Sequence, residues 1–380
     1  MARAAHLSFH PPHRPGVTAD RDLPAKGSAT GKGRGARSNQ SGRYEAEQRI
    51  AIDDGWDNDE PLPPLRTKVT DEAPRKIITF NDSPYVGFDR SINPYRGCEH
   101  GCIYCFARPT HAYMGLSPGL DFESRLFAKP SASKLLEKEL SNKRYRPRAI
   151  AMGTNTDPYQ PIEKRYQIMR GILSTFDRFN HPVSVLTKSQ LILRDLDLLV
   201  PLAEKGLTRT MISITTRDKK LARSMEPRAA APKWRFEAIR KMSEAGIEVG
   251  VMTAPMIPGL NDDEMESILE EAADAGAKFC GFTIIRLPQE VSPLFQEWLE
   301  AFAPNRAKRI MNHIRHMNGG RDYDPQWSRS KEIKTEYARL IALRHKKARV
   351  KYGLDAKLVP LDVSQFRVPP SVTGQYDLFS

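Results

Sequence analysis

The sequence lacks any long apolar run. Nowhere in its 380 residues is there a stretch approaching the ~18 consecutive apolar residues of a membrane-spanning helix. No apolar core follows the early basic residues, so the pattern of a secretory signal is missing as well. We therefore expect a cytoplasmic protein with no membrane partner.

Cysteine is scarce, with four residues in the whole chain. So few thiols in a long chain argue against the disulfide framework that small secreted domains use. Three of the four, Cys98, Cys102 and Cys105, nevertheless fall within eight residues. Thiolates this close in one loop can converge on a metal centre, and reduced thiols again indicate a reducing compartment.

Acidic residues are outnumbered by basic ones. Lys and Arg total 59 against 46 Asp and Glu, which gives a formal net charge of +13. Basic residues cluster at 31–38, 306–309 and 344–349, and although such clusters are also ordinary solvated surfaces, they favour DNA or RNA as a partner. Trp298 and Trp327 could stack on bases, or could belong to a core or an interface.

The spacing of the clustered cysteines narrows the choice of metal. A structural zinc site pairs its ligands and repeats the pair downstream, and neither His100 nor His111 completes such a pattern. A cubane iron–sulfur cluster normally takes one thiolate per iron, so three cysteines would leave one iron open to a substrate or cofactor. The pattern Cys-x3-Cys-x2-Cys therefore favours an iron–sulfur site.

This spacing, with Tyr104 just before the last cysteine, resembles the signature of the radical S-adenosylmethionine (SAM) superfamily. Segments 91–98, 106–111, 153–161 and 186–197 are similar to the branch related to spore photoproduct lyase, often called DNA repair photolyase-like. The resemblance covers about residues 78 to 290.

The resemblance implies a particular chemistry. Cys98, Cys102 and Cys105 would hold a [4Fe-4S] cluster, SAM would bind the open iron, and Tyr104 would lie near the adenine. One electron, from a donor such as flavodoxin or ferredoxin, would cleave SAM to a 5′-deoxyadenosyl radical. The protein's part is to position that radical and exclude water, because the cofactor carries the hard step.

Short apolar runs alternate with amphipathic stretches from about residue 78. The runs predict strands at 148–152, 182–186, 210–214, 248–252 and 279–285. The stretches predict helices at 163–179, 193–205, 234–245 and 262–275, the last with a capping box formed by Asn261 and Glu264. The alternation predicts an α/β fold with a parallel sheet. The family resemblance narrows this to a partial six-stranded (β/α) barrel.

The chain divides into three parts. Residues 1–75 are rich in Pro, Gly, Ser and Arg, which predicts a largely disordered basic tail, although 42–50 could form a helical turn or dock on the main domain. Residues 76–300 form the expected radical SAM core. Residues 301–380 form a helical C-terminal extension, with the longest patterns at 305–317 and 331–351, which would cover the open side of the barrel or build the substrate entrance.

Polar residues after a strand are candidates for cofactor binding, because function gathers at the carboxyl ends of barrel strands. Thr154, Asn155, Thr156 and Asp157 follow the strand that ends at Met152. In the family this segment contacts the amino group of the cofactor. A solvated loop with Asx-type turns would show the same pattern.

Three further residues are candidates for the same role. Ser213 and Thr215 alternate along one strand and so share a face, from which they could bond ribose or methionine groups of SAM. Arg228 could pair with a carboxylate of the cofactor or substrate, or cap a helix. The sequence identifies no catalytic residue beyond these binding candidates.

Cys280, the fourth cysteine, has three interpretations. It could be a small buried core residue, a hydrogen donor that quenches a substrate radical, or a fourth cluster ligand. Its position at the start of the predicted strand 279–285 would place it far from the radical.

The leading functional hypothesis is a radical SAM enzyme that acts on nucleic acid, in DNA repair or base modification. The alternatives are a radical enzyme that modifies a protein or small metabolite, and a noncatalytic iron–sulfur redox sensor.

Overall fold

The computed structural model describes residues 33–45, 65–82, 86–325 and 335–370. The strands within these residues are β1 Lys68–Asp71, β2 Ile78–Phe80, β3 Arg90–Ile92, β4 Tyr95–Arg96, β5 Arg125–Ala128, β6 Ile150–Met152, β7 Val183–Thr187, β8 Thr208–Ser213, β9 Val249–Met256 and β10 Phe279–Ile284. The helices are α1 Leu120–Ser124, α2 Ala132–Leu140, α3 Glu163–Tyr166, α4 Ile168–Arg178, α5 Leu196–Glu204, α6 Lys219–Met225, α7 Pro232–Glu244, α8 Met265–Asp274, α9 Val291–Phe302, α10 Pro304–Met317 and α11 Glu336–Lys351. Short 3₁₀ helices occupy Arg108–Met114, Gln190–Asp195 and Asp262–Glu264.

The main sheet has the order β10-β9-β8-β7-β6-β3-β2. Its first six strands in this order pair in parallel, and β2 adds an antiparallel strand beside β3. Because this order is linear, the sheet does not close on itself. The predicted α/β fold with a partial six-stranded parallel barrel is therefore confirmed.

The helices pack on this sheet through apolar stripes. In α4, residues 168, 169, 172, 173 and 176 are buried, which is the spacing of one face of a helix. The strands beneath are buried on both faces over much of their length, as parallel strands covered by helices should be. The polar residues at the carboxyl ends of these strands are available to form a functional site.

Two local predictions were wrong for identifiable reasons. The predicted helix 163–179 breaks at Gln167, whose φ is 51°, because the Glu163 carboxylate accepts hydrogen bonds from the amides of Ile168 and Met169 and so starts a second helix. Asn261 caps no helix through its side chain. Its carboxamide donates instead to the carbonyl oxygens of Thr215 and Pro255, and thereby joins the ends of β8 and β9.

A second, small sheet has the order β1-β5-β4 and lies beside the cysteine loop. The pairing of β4 with β5 brings the start of that loop against the end of α1. Residues 33–45, part of the predicted tail, also pack here, and Gly35, Ala36 and Ser38 are buried. The rest of residues 1–64 lies outside the described residues.

The C-terminal extension covers one edge of the sheet and then crosses its base. Helix α11 packs against α8 and the edge strand β10. Beyond it, Arg209 at the start of β8 donates to the carbonyl of Val359, and the amide of Arg367 donates to Phe179 at the end of α4. The chain thus passes the amino ends of the strands. Among the described residues, no helix is both long and apolar enough to cross a bilayer.

Candidate active site

The cysteine loop follows β3 and β4, at the carboxyl end of the parallel sheet. Its backbone is anchored on two sides, since the amide of Cys98 donates to Phe122 and that of Ile103 donates to Met225. Gly97 has a φ of +72°, and a Cβ there would lie 2.6 Å from Leu126. The turn into the loop therefore requires glycine both for conformation and for space.

The three clustered thiols lie close enough to influence one another. Cys98 and Cys102 are buried and Cys105 is half-buried. Burial raises the pKa of all three, and for Cys98 the neighbouring Asp157 and the other two cysteines raise it further. Iron binding must therefore displace protons from these thiols.

Within the part of the chain that the structure describes, no three Cys, His, Asp or Glu groups surround one metal position. The three thiols are nevertheless the donor set that a cubane iron–sulfur cluster takes, with one thiolate for each of three irons.

Lys188 carries a positive charge into the site from the end of β7. Its Nζ lies 2.5 Å from Ser213 Oγ and 3.3 Å from a carboxylate oxygen of Glu226. It also lies 5.8 Å from the centre of the Tyr104 ring. The ammonium group thus sits among the side chains predicted to bind SAM.

Glu226 is the buried anion of this network. Its carboxylate accepts hydrogen bonds from Tyr104 and Thr215 and pairs with the buried Arg235. Burial alone would raise the pKa of Glu226, but the charges of Arg235 and Lys188 together with the hydrogen bonds from Tyr104 and Thr215 lower it. The carboxylate therefore stays ionised and holds Tyr104 in place.

Asp157 joins the cysteine loop to two strand ends. It accepts hydrogen bonds from the Thr187 hydroxyl at 2.6 Å and the Lys188 amide at 2.7 Å, and His100 Nδ1 lies 3.3 Å away. Burial would raise the pKa of Asp157, but these partners together lower it. Asp157 thereby fixes the start of the loop that carries Lys188.

Thr154, Asn155 and Thr156 lie together at the end of β6, around the side chain of Asn93. Asn93 donates to Thr154 Oγ1 at 3.1 Å and accepts from the Asn155 amide. The Thr156 hydroxyl is buried and donates to the carbonyl of Tyr95. Asn155 is the exposed member of the three.

The structure brings Tyr104, Ser213 and Thr215 together but places Arg228 apart from them. Arg228 pairs with Glu99 at 3.0 Å, and its amide donates to the carbonyl of His100. It therefore contacts the cysteine loop at Glu99 and His100.

Sequence reasoning missed Lys188, Glu226 and Arg235. Lys188 lies two residues after the predicted strand 182–186, so the strand-end argument applied to residues 154–157 could have found it. Glu226 and Arg235 carried no such signal, because their importance depends on burial.

The remaining aromatic and thiol candidates lie elsewhere. Trp298 is buried, and its indole donates to Ser224, so it is a core residue; Trp327 lies outside the described residues. Cys280 lies near the start of β10, with Sγ 3.4 Å from Nε2 of His345 on α11. Burial raises the pKa of the Cys280 thiol to about 11.

Comparison with known proteins identifies both sequence and structural relatives. A family model described as the radical SAM superfamily matches residues 92–272. An uncharacterised protein of Mycobacterium tuberculosis is 36% identical over 226 residues, which cover 58% of this chain and 66% of that relative. An uncharacterised protein of Methanocaldococcus jannaschii is 30% identical over 236 residues, 61% of this chain and 83% of that relative.

Solved structures of spore photoproduct lyase share the fold. A variant with bound AdoMet and dinucleoside spore photoproduct has a TM-score of 0.53 at 15% identity, with 75% of this chain and 78% of that chain covered. The complex with dinucleoside spore photoproduct has a TM-score of 0.50 at 15% identity, covering 75% and 79%.

Proposed function

Because the chain belongs to the radical SAM superfamily, we propose that it is a SAM-cleaving enzyme acting on nucleic acid, with Cys98, Cys102 and Cys105 as the cluster ligands. When bound, the [4Fe-4S] cluster supplies the electron that cleaves SAM to a 5′-deoxyadenosyl radical. The observation that carries the proposal is three adjacent thiols beside a buried, charged network at the carboxyl end of the barrel. The thiols also favour a reducing cytoplasm as the location.

The residues of this network have separate roles in the proposal. Lys188 offers its ammonium group to the carboxylate of SAM, since its partners in the structure include a hydroxyl that a carboxylate can replace. Ser213 and Thr215 line the same face, and Glu226 keeps Tyr104 oriented. Thr154, Asn155 and Thr156 would meet the amino group.

A basic cavity beside this network supports nucleic acid as the substrate class. It encloses about 610 Å³, and Glu226 and Arg235 form part of its wall. Lys219, Lys220 and Arg223 line it and, among the described residues, pair with no carboxylate. Cations without counterions next to the radical site suit a phosphate backbone. The dinucleoside photoproduct bound by spore photoproduct lyase is in keeping with this choice.

Cluster assembly tests the enzyme class. After anaerobic reconstitution, Cys102→Ala should lose the visible absorption of the cluster and the release of 5′-deoxyadenosine, because one iron loses its protein ligand. The matched control is Cys280→Ala, which removes the thiol outside the loop and should retain both. A complete cluster in Cys102→Ala would exclude the ligand assignment, and a cluster that never cleaves SAM would favour a redox sensor.

Salt dependence of binding tests the substrate class. Replacing Lys219, Lys220 and Arg223 by Gln should weaken binding of a single-stranded oligonucleotide and lower its salt slope by about 2, since each phosphate contact to single strands contributes about 0.7. The control replaces Lys134, Lys138 and Lys143, which are exposed on or just after α2, by Gln and so removes the same charge. Equal losses in both variants would mean that only net charge matters, and unchanged binding would favour a protein or metabolite substrate.

A further inference from the structure

Residues 33–45, which we call the N-terminal strap, contact the domain through their backbone. The amides of Gly35 and Ala36 each donate to the Glu123 carboxylate at 2.8 Å. Glu123 is fully buried on α1. Two backbone donors therefore satisfy a carboxylate that would otherwise be costly to bury.

Glu123 passes this contact on to the cysteine loop through Arg108. The two side chains form an ion pair at 2.5 Å, and neither has any exposed surface. Arg108 also donates to the carbonyl oxygens of Gly101 at 3.1 Å and Cys102 at 3.0 Å. Its remaining bonds go to the carbonyls of Pro118 and Gly119. The guanidinium thus holds the loop backbone at the middle cysteine.

The strap also touches the loop directly. A Cβ on Gly35 would lie 1.8 Å from the carbonyl oxygen of Gly101, a distance that no side chain can adopt. Gly101 has a φ of +66°, and a Cβ there would lie 2.6 Å from Glu123. The N-terminal strap, the Glu123 carboxylate and the cysteine loop therefore pack together only because glycine occupies positions 35 and 101.

Arg34 forms a second connection. It donates to the Glu123 carbonyl at 2.6 Å and to Thr67 Oγ1 at 2.9 Å, and the Thr67 hydroxyl bonds Glu99 inside the cysteine loop. The strap therefore reaches the loop at two positions, Glu99 and Gly101, both before its middle cysteine.

We propose that the N-terminal strap is a positioning element for the cluster loop. It lies outside residues 92–272, the part that matches the family model, so this support is an addition to the matched core. Hydrogen bonds and exposure around an iron–sulfur cluster set its reduction potential. Through Arg108 the strap fixes the backbone at Cys102, and the position of that backbone sets the surroundings of the Cys102 thiolate. This part of the proposal rests on the proposed function, because it requires the cluster.

The test compares two glycine substitutions in the full-length protein. Gly35→Ala drives a methyl group into the Gly101 carbonyl, whereas Gly87→Ala meets nothing within 4 Å and serves as the matched control. In metal-free protein we expect alkylation of the loop cysteines to become about tenfold faster in Gly35→Ala, because local opening becomes easier, and to stay unchanged in Gly87→Ala. In reconstituted protein, Gly35→Ala should show a shifted midpoint potential and electron paramagnetic resonance signature, with Gly87→Ala as wild type.

Arg34→Gln is a milder variant that controls for unfolding of the whole protein, because it removes the contacts of a charged side chain and introduces no steric clash. It should shift the same readouts in the same direction while the thermal unfolding of the barrel stays near that of wild type. Wild-type alkylation, potential and spectrum in both strap variants would overturn the inference. If wild-type protein holds no cluster, the proposed function fails, but the alkylation rates still decide whether the strap positions the loop.

Discussion

Single residues in the site are held by charge rather than by apolar packing. Glu226 stays ionised in a buried position because Arg235 and Lys188 both compensate it. Arg235 is buried, pairs with Glu226 and donates to the carbonyls of Ser213 and Ala230. Lys188, by contrast, donates to the Ser213 hydroxyl and lies near Glu226. A ligand carboxylate can therefore bind Lys188 while Arg235 stays paired with Glu226, so the buried Glu226 is not left without a partner.

Cys280 lies outside this network, and its substitution shows whether the thiol contributes to packing or to the reaction. Since the thiol contacts His345 at the amino end of β10, Cys280→Ala should cost about 1 kcal/mol of unfolding free energy, in line with small side-chain deletions. The products of SAM cleavage should not change. Urea unfolding and mass spectrometry of the products measure the two effects, and an altered product distribution in a stable variant would assign Cys280 to the chemistry.

At the level of elements, the C-terminal segment ties the base of the barrel together around His181. His181 Nδ1 donates to the carbonyl of Pro182, so Nε2 accepts the hydrogen bond from the Tyr145 hydroxyl at 2.7 Å. The imidazole stacks on Phe176 and meets the edge of Phe366 from the C-terminal segment. The buried, neutral His181 thus contacts both helix α4 and the C-terminal segment.

Burial, together with the nearby charge of Arg90, lowers the pKa of His181 to about 3. The unfolded chain protonates near its ordinary pKa of about 6.5. The folded state therefore loses stability as the pH falls from that value towards 3. Between pH 7 and pH 5 this amounts to about 2 kcal/mol.

His181→Gln should therefore flatten the dependence of unfolding free energy on pH in this window, while lowering stability at pH 7. The control is His316→Gln on the exposed side of α10, which should keep the wild-type pH dependence. Denaturant unfolding at pH 5, 6 and 7 measures both variants. The explanation is wrong if His181→Gln keeps the full slope.

For the whole molecule, the two parts of the N-terminal region have different expected roles. Residues 1–32 contain five basic and two acidic residues, while the N-terminal strap that follows is bonded to the domain. The first part is suited to sequence-independent phosphate contacts, and the second to the support of the cysteine loop.

Removing residues 1–32 should leave cluster assembly intact and reduce the salt slope of nucleic acid binding, because phosphate contacts are lost. Removing residues 1–45 should reduce cluster content as well. Iron analysis and fluorescence anisotropy over a range of salt concentrations distinguish the two truncations. An unchanged slope after removal of residues 1–32 would show that the tail is not a contact.

The alternating pattern was enough to predict an α/β fold with a parallel sheet, and the resemblance of the cysteine motif and its neighbouring segments to a known family implied the barrel. The predicted strand 279–285 is β10 to within one residue. The polar residues after β6 and on β8 do lie at the carboxyl ends of their strands. Predictions of this kind succeed because spacing and periodicity are local properties of the chain.

Contacts between distant segments could not be predicted in this way. Asn261 looked like a helix cap but joins two strand ends, and Gly35 looked like part of a tail but packs on Gly101. Tyr104, Lys188, Glu226 and Arg235 become one network only when the cysteine loop, the end of one strand and two helices meet. The chain's local chemistry therefore specifies the cofactor type and the layers of the fold. Burial and the pairing of charges far apart in the chain arise on folding, and they decide which side chains surround that cofactor.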